Sequence, residues 1–344
     1  MPRMLKMQLS CAALAVALAG CGGAEQSSEA TSSTQLSSSP KTSSAATSVV
    51  PAPTAADFAG PVFYQCGKAG PVLRKLNLDS GVFSAIASYP NVDCDNISRS
   101  LAINDSDFIG QTQRHYYSPD YSKVAVSAMP DSFHTGYYDH HLDRLVDVTE
   151  IVAPMEGDFA QPAHHEPGYF TDDGTFVFWD QDKEVFQFFD TNSRQVVRNS
   201  PAREMPASLA PAIQVKGTED YFNQGTYKTC DGRWMIDGSK YLRTDGYQPT
   251  AIFLSTVPEG PLTVGTCEAA ESLSTRVSPK STTGGYRNES IAADPTGSTI
   301  IFVYRNQDSE YKLFRANPSN PDNPAEIPLK GSLEDYPGDI IAWS

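Results

Sequence analysis

Basic residues are scarce in this 344-residue chain: 26 lysines and arginines stand against 41 aspartates and glutamates, for a formal net charge of −15. A body of that sign repels phosphate backbones and anionic headgroups, so nucleic acid is excluded as a partner. No apolar run approaches the roughly 20 residues that cross a bilayer as a helix. No long stretch after residue 57 carries a 3.6-residue apolar period, which argues against a helical bundle. The chain has no C-x-x-C pair, the usual start of a thiolate zinc site. It has no G-x-S-x-G elbow, which argues against a serine hydrolase of that type, and no glycine-rich phosphate loop. His165-Glu166 does not extend into H-E-x-x-H, because Tyr169 holds the closing position. The acidic stretches lack the ligand spacing of an EF-hand loop.

What is present begins at the front. Arg3 and Lys6 precede a short apolar run, Leu9 to Leu18, that closes on Leu18-Ala19-Gly20-Cys21. A charged start, a short apolar segment and small residues before a cleavage point read as an export signal over residues 1–20. The closing residues resemble the lipobox of bacterial lipoproteins. That resemblance implies cleavage before Cys21, a lipid on its thiol, and a protein held to the cell membrane on its extracytoplasmic side. Residues 21–57 are mostly Ser, Thr, Ala, Gln and Pro, too poor in large apolar groups to offset the entropy of ordering. As a tether, about 36 such residues reach on the order of 30–35 Å. With an acidic body, the lipid rather than surface charge must hold the protein to the membrane.

Residues 58–344 are enough for one large domain. Four cysteines remain there: Cys66, Cys94, Cys230 and Cys267. An even number in an exported chain suggests two disulfides, with three possible pairings. The local pairs Cys66–Cys94 and Cys230–Cys267 are favoured, since each closes a short excursion.

Short β-rich runs alternate with Gly, Asp, Asn and Pro turns, which indicates an all-β architecture. A turn feeding a strand recurs at Tyr117–Ser127, Phe170–Trp179 and Ala293–Tyr304, with a weaker copy at Cys230–Ile236. Second hairpins are expected at 137–152, 185–197, 250–264 and 311–329, and another at 72–87. These copies resemble the SPDG-strand repeats of TolB-like and related WD40-like propellers, although Tyr121 stands where that repeat has glycine. The resemblance implies a β-propeller over residues 58–344 and carries no catalytic residues. The count is about five blades, with six or seven possible through the long connections. The terminal strand Asp339–Ser344 is expected to complete the first blade and close the ring, hiding two sheet edges. Trp179, Trp234 and Trp343 are expected to pack between blades, and residues 203–213 to hold a short helix.

All six histidines fall between residues 115 and 165: His115, His134, His140, His141, His164 and His165. Imidazole is the commonest transition-metal ligand. His134, His140, His141, His164 and His165 are therefore the candidate metal ligands, if adjoining blades bring them to one point. On a strand, His140 and His141 would point to opposite faces. Paired carboxylates occur at Asp105 and Asp107, Asp172 and Asp173, and Asp180 to Glu184, where turns between strands account for them. No residue stands out as catalytic, and no cofactor is called for unless a metal occupies the histidines. The expected role is a binding or scaffolding module for an envelope partner or ligand. The alternative is a metal-dependent or carboxylate-based hydrolase built from the loops at 134–166.

Overall fold

The computed structural model describes residues 58–97, 109–127, 134–155, 163–202, 204, 206–208, 232–244, 251–259, 264–278, 287–305, 310–330 and 337–344. The leader and tether with Cys21, together with Cys230, lie outside these residues, as does most of the segment 203–213.

Among the described residues, five antiparallel sheets follow one another along the chain. The first joins β1 (Pro61–Gly67), β2 (Gly70–Asn77) and β3 (Val82–Ser88) to β19 (Asp339–Trp343), in the order β19-β1-β2-β3. The second is three-stranded: β4 (Lys123–Val126), β5 (Gly136–Asp139) and β6 (Arg144–Asp147). The third runs β10-β9-β8-β7, from β7 (Tyr169–Phe170), β8 (Phe176–Asp180), β9 (Val185–Asp190) and β10 (Gln195–Ser200). The fourth contains β11 (Gly232–Ile236), β12 (Lys240–Thr244), β13 (Ile252–Thr256) and β14 (Thr275–Arg276). The fifth contains β15 (Arg287–Ala293), β16 (Ile300–Arg305), β17 (Tyr311–Asn317) and β18 (Asn320–Glu326). Helices α1 (Ile109–Gln113), α2 (Val148–Val152) and α3 (Val264–Ser272) lie in the connections. On the second sheet, single bridges from Ile97 to Val126 and from Tyr117 to Val124 occupy the edge of β4 that faces away from β5.

The repeated turns share one hydrogen-bond plan. Tyr121, Gly174 and Gly297 donate their N–H groups to Ser118, Thr171 and Asp294, three residues back. All three adopt positive φ, at 58°, 86° and 67°. Tyr121 thus takes the left-handed position that glycine fills in the other two copies. Asp120 makes that possible by accepting from the Ser122 N–H (3.0 Å), the Ser122 hydroxyl (2.8 Å) and the Ser118 hydroxyl (2.6 Å). The weaker copy differs: Gly232 belongs to β11, and the tight turn is Asp237-Gly238, both at positive φ as a type I′ hairpin requires.

Two local expectations need correction. His140 and His141 lie in the turn between β5 and β6 rather than on a strand. The hairpin expected at 250–264 is not seen among the described residues: Ile252–Thr256 is the single strand β13, which pairs back on β12, and Val264 opens α3, where Glu268-Ala269-Ala270-Glu271 favours helix.

Successive strand residues face opposite sides of a sheet, and here both sides are buried. Val62 packs into one apolar cluster with Tyr89, Val124 and Tyr138, while its neighbour Phe63 packs into another with Leu242, Ile301 and Leu313. Ile341 and Ile340 divide in the same way. In the second and third sheets, Tyr138 and Val177 join the first cluster, whereas Tyr137 and Phe176 join a third. Each of these sheets is therefore buried on both faces. In the fifth sheet, Ile300-Ile301-Phe302-Val303 is apolar without alternation, and all four lie fully buried in the second cluster. Cys66, in β1, is bonded to Cys94, with their Cα atoms 6.0 Å apart.

Candidate functional site

A cavity of about 440 Å³ opens where the sheets converge. Its walls come from Ile341–Trp343 of β19, Trp234–Gly238 of β11 and its turn, and Ala293–Pro295 at the end of β15. Asp172 enters from the turn before β8, Ala207 and Ser208 from beyond β10, and Gln111, Arg114 and His115 from α1 and the turn after it. Every four-stranded sheet contributes, and α1 lies on the path into the three-stranded one. Trp234 and Trp343 are thus cavity walls as well as packing residues.

Gln111 fixes α1 against β11. Its Nε2 donates to the Met235 carbonyl, and its Oε1 accepts from the Met235 N–H, both at 2.7 Å. Arg114 donates to the carbonyls of Tyr117 (2.8 Å) and Ser118 (3.1 Å), with its guanidinium 4.4 Å from the Tyr121 ring centre.

His115 is only 3% exposed, although it lines the cavity. Its Nδ1 lies 2.9 Å from the Phe170 carbonyl and its Nε2 lies 2.8 Å from the Ser208 hydroxyl. A carbonyl only accepts, so Nδ1 carries a proton, and in the neutral ring Nε2 presents its lone pair to Ser208. Burial pushes the imidazole down to about 4, against the pull of the Phe170 carbonyl and with help from the Arg114 charge. His115 is therefore neutral near pH 7. Ser208 is exposed and is positioned by Asp172, whose Oδ2 accepts from the Ser208 N–H and whose Oδ1 accepts from the Ser208 hydroxyl, both at 3.0 Å, so that Oδ1 and His115 Nε2 are the two acceptors around one hydroxyl proton.

Of the five candidate metal ligands, His134, His164 and His165 have other side-chain partners. His134 Nδ1 lies 2.6 Å from Asp147 Oδ2. The His140 ring sits 6.4 Å from that of Tyr89 and 6.1 Å from that of His141. His164 engages Asp182 through its N–H (3.0 Å) and Nδ1 (3.3 Å). His165 is buried, 2.9 Å from the Thr149 hydroxyl and 3.5 Å from Asp180 Oδ2. Burial lowers the His165 imidazole against the opposing pull of Asp180. Among the described residues, no three His, Cys, Asp or Glu side chains gather as a metal ion would need. Cys267 lies in α3, with its side chain outside the described residues. Also among the described residues, no helix is long and apolar enough to cross a membrane.

Sequence reasoning missed Gln111, Arg114 and Ser208, and it read Asp172 as a turn residue. His115 stood among the six histidines, but nothing local marked Ser208 as its partner.

No family model matches the chain, nor does any curated protein. Solved structures similar to it include TolB from Acinetobacter baumannii, at 13% identity over 79% of this chain and 53% of that one, with a TM-score of 0.28. The β-propeller domain of Cps50 (Swd1) from Myceliophteria thermophila matches at 11% identity over 80% and 91%, with a TM-score of 0.30. The β-propeller domain of the Trilobed protease from Pyrococcus furiosus matches at 11% over 79% and 97%, with a TM-score of 0.26. The chain spans about half of the TolB chain (53%) and of a hydrazine synthase chain from Kuenenia stuttgartiensis (47%). At this level of similarity no function passes to this chain from those proteins.

Proposed function

We propose that the protein is a lipid-anchored module of the bacterial cell envelope: a lipid on Cys21, a tether over residues 21–57, and a β-propeller that binds an envelope partner or ligand. In this reading the five sheets are five blades. The pairing of β1 with β19, Pro61 to Trp343 and Val62 to Ala342, then closes the ring. The burial of adjacent residues on opposite sheet faces supports a radial array of sheets, since each blade must pack on two neighbours. The observation that carries the binding role is the central cavity, to which every four-stranded sheet contributes. Concave sites with apolar walls and a few convergent polar groups are where small ligands and partner side chains bind.

Two experiments test the reading. Membrane fractionation of cells expressing the full chain should find it with the membrane and its Cys21→Ser form released; a Cys21→Ser protein that stays membrane-bound overturns the anchor. A photo-crosslinking residue at Asp237, on the cavity rim, should give adducts that the same residue at outward-facing Leu273 does not. Identical adduct patterns at the two positions overturn the binding role of the cavity.

A further inference from the structure

We propose that Ser208 and His115 form a nucleophile–base pair that gives the central cavity acyl-transfer activity toward small neutral or cationic esters. This goes beyond the binding role and stands whether or not a partner docks at the rim.

Three facts of geometry carry it. The Ser208 hydroxyl meets His115 Nε2 at 2.8 Å although 93 residues separate them, so the fold brings the pair together. The Phe170 carbonyl at Nδ1 fixes the ring and its tautomer, leaving Nε2 as an acceptor for the serine proton at 2.8 Å, nearer than the other acceptor, Asp172 Oδ1 at 3.0 Å. A nucleophile within reach of a base that a third group orients is the arrangement that activates serine. Lastly, the two residues are unequally buried. His115 is sunk in protein while Ser208 is exposed to a cavity of about 440 Å³, within the size range of small-molecule sites. A contact serving only to satisfy the buried imidazole would not need its hydroxyl at a cavity wall.

The chemistry closes on these groups. Ser208 Oγ adds to the ester carbonyl carbon as its proton passes to His115 Nε2. Arg114, the one lysine or arginine among the described residues lining the cavity, supplies positive charge for the oxyanion. The carbon–oxygen bond to the alcohol then breaks, and His115 returns the proton to the leaving oxygen. Water adds to the acyl-serine in the same way, giving up its proton to Nε2. Collapse releases the carboxylic acid and restores the serine hydroxyl with that proton. Asp172, Asp237 and Asp294 line the cavity and disfavour anionic substrates, while Trp234 and Trp343 offer apolar walls.

The test is covalent labelling of the mature full chain with a fluorophosphonate reporter, read by peptide mapping, alongside hydrolysis of 4-nitrophenyl acetate. The expected adduct lies on Ser208 and is absent in Ser208→Ala. His115→Gln should lower the labelling rate at least about 100-fold, the scale of a lost general base. On the wild type, the rate should plateau above about pH 6 and fall at lower pH as His115, held at about 4 by burial, takes up a proton. Absence of an adduct at Ser208 in the folded protein overturns the proposal. So does a His115→Gln variant that keeps both its melting temperature and its labelling rate. If that variant does not fold, the wild-type profile decides: a rate that climbs with hydroxide concentration and shows no plateau also overturns it.

Discussion

Gln111 pairs with Met235 as a neighbouring strand would, its side-chain amide meeting both the carbonyl and the N–H of one residue of β11 at 2.7 Å. One side chain thus satisfies two backbone groups 124 residues away and holds α1 at the cavity. Gln111→Ala leaves both Met235 groups without that partner and should cost about 1–3 kcal/mol in urea unfolding. Gln111→Glu should cost at least as much, because it sets an anion against a carbonyl where a donor stood.

Tyr121 and Gly174 occupy the same turn position for different reasons. Tyr121 carries a left-handed φ of 58°, a strain of roughly 1–2 kcal/mol for a residue with a Cβ. Its ring offsets this by packing under Arg114 and on the apolar cluster. Tyr121→Gly should therefore lower stability by about 1 kcal/mol, since burying a large side chain contributes roughly 1.5–3 kcal/mol. Gly174→Ala should lose about as much through backbone strain alone, the nearest atom to an added Cβ being Pro119 Cδ at 3.6 Å. Chemical denaturation of the two variants checks both values.

The parts of this fold that could be read from the sequence are those written locally. Asp120, Gly174 and Gly297 announce turns because the bonds that define them span only a few residues. The hairpins β2–β3, β9–β10 and β17–β18 follow from the apolar runs between such turns. The site is different in kind. His115 reaches Ser208 across 93 residues, and no periodicity or spacing in either segment points at the other. The histidine pairs attracted attention because they are adjacent in sequence, yet His164 and His165 engage different carboxylates, Asp182 and Asp180.

The Cys66–Cys94 bond closes a loop across 28 positions. A cross-link of that span contributes about 3 kcal/mol by restricting the unfolded chain. The Cys66→Ser/Cys94→Ser variant should lose that much in urea, and added reductant should lower the wild type by more than it lowers the variant. Thiol counting on the unreduced protein should find no free cysteine if Cys230 and Cys267 are also joined.

Acid should act in two stages. The folded His115 titrates at about 4 against an ordinary 6.5, so between those values the unfolded chain binds the extra proton. Stability is therefore full above about 6.5 and falls as pH drops toward 4. Burial alone would raise Asp120, but the bonds from Ser118 and Ser122 hold it at about 2 against an ordinary 3.8, so its contribution is lost over that lower interval. Melting curves between pH 7 and 2 should show a decline that His115→Gln flattens in its upper part and Asp120→Asn in its lower part.

Gly338 sets how closely β19 approaches β1. It adopts φ of 102°, and a Cβ there would lie 1.9 Å from the Tyr64 carbonyl oxygen. Gly338→Ala should force the two strands apart and cost more than about 2 kcal/mol, combining a steric clash with backbone strain. Hydrogen exchange should report faster opening of the Phe63–Ile340 and Tyr64–Asp339 pairs.

The pairing of β1 with β19 also governs timing. A chain that emerges N-terminus first presents β1 long before Asp339–Trp343, so one edge of β1 waits bare until the last described strand arrives. An uncovered edge is a template for foreign strands. Closure over so long a separation is also slow. The exposed edge of the newborn molecule therefore lies at Pro61–Gly67 until β19 covers it.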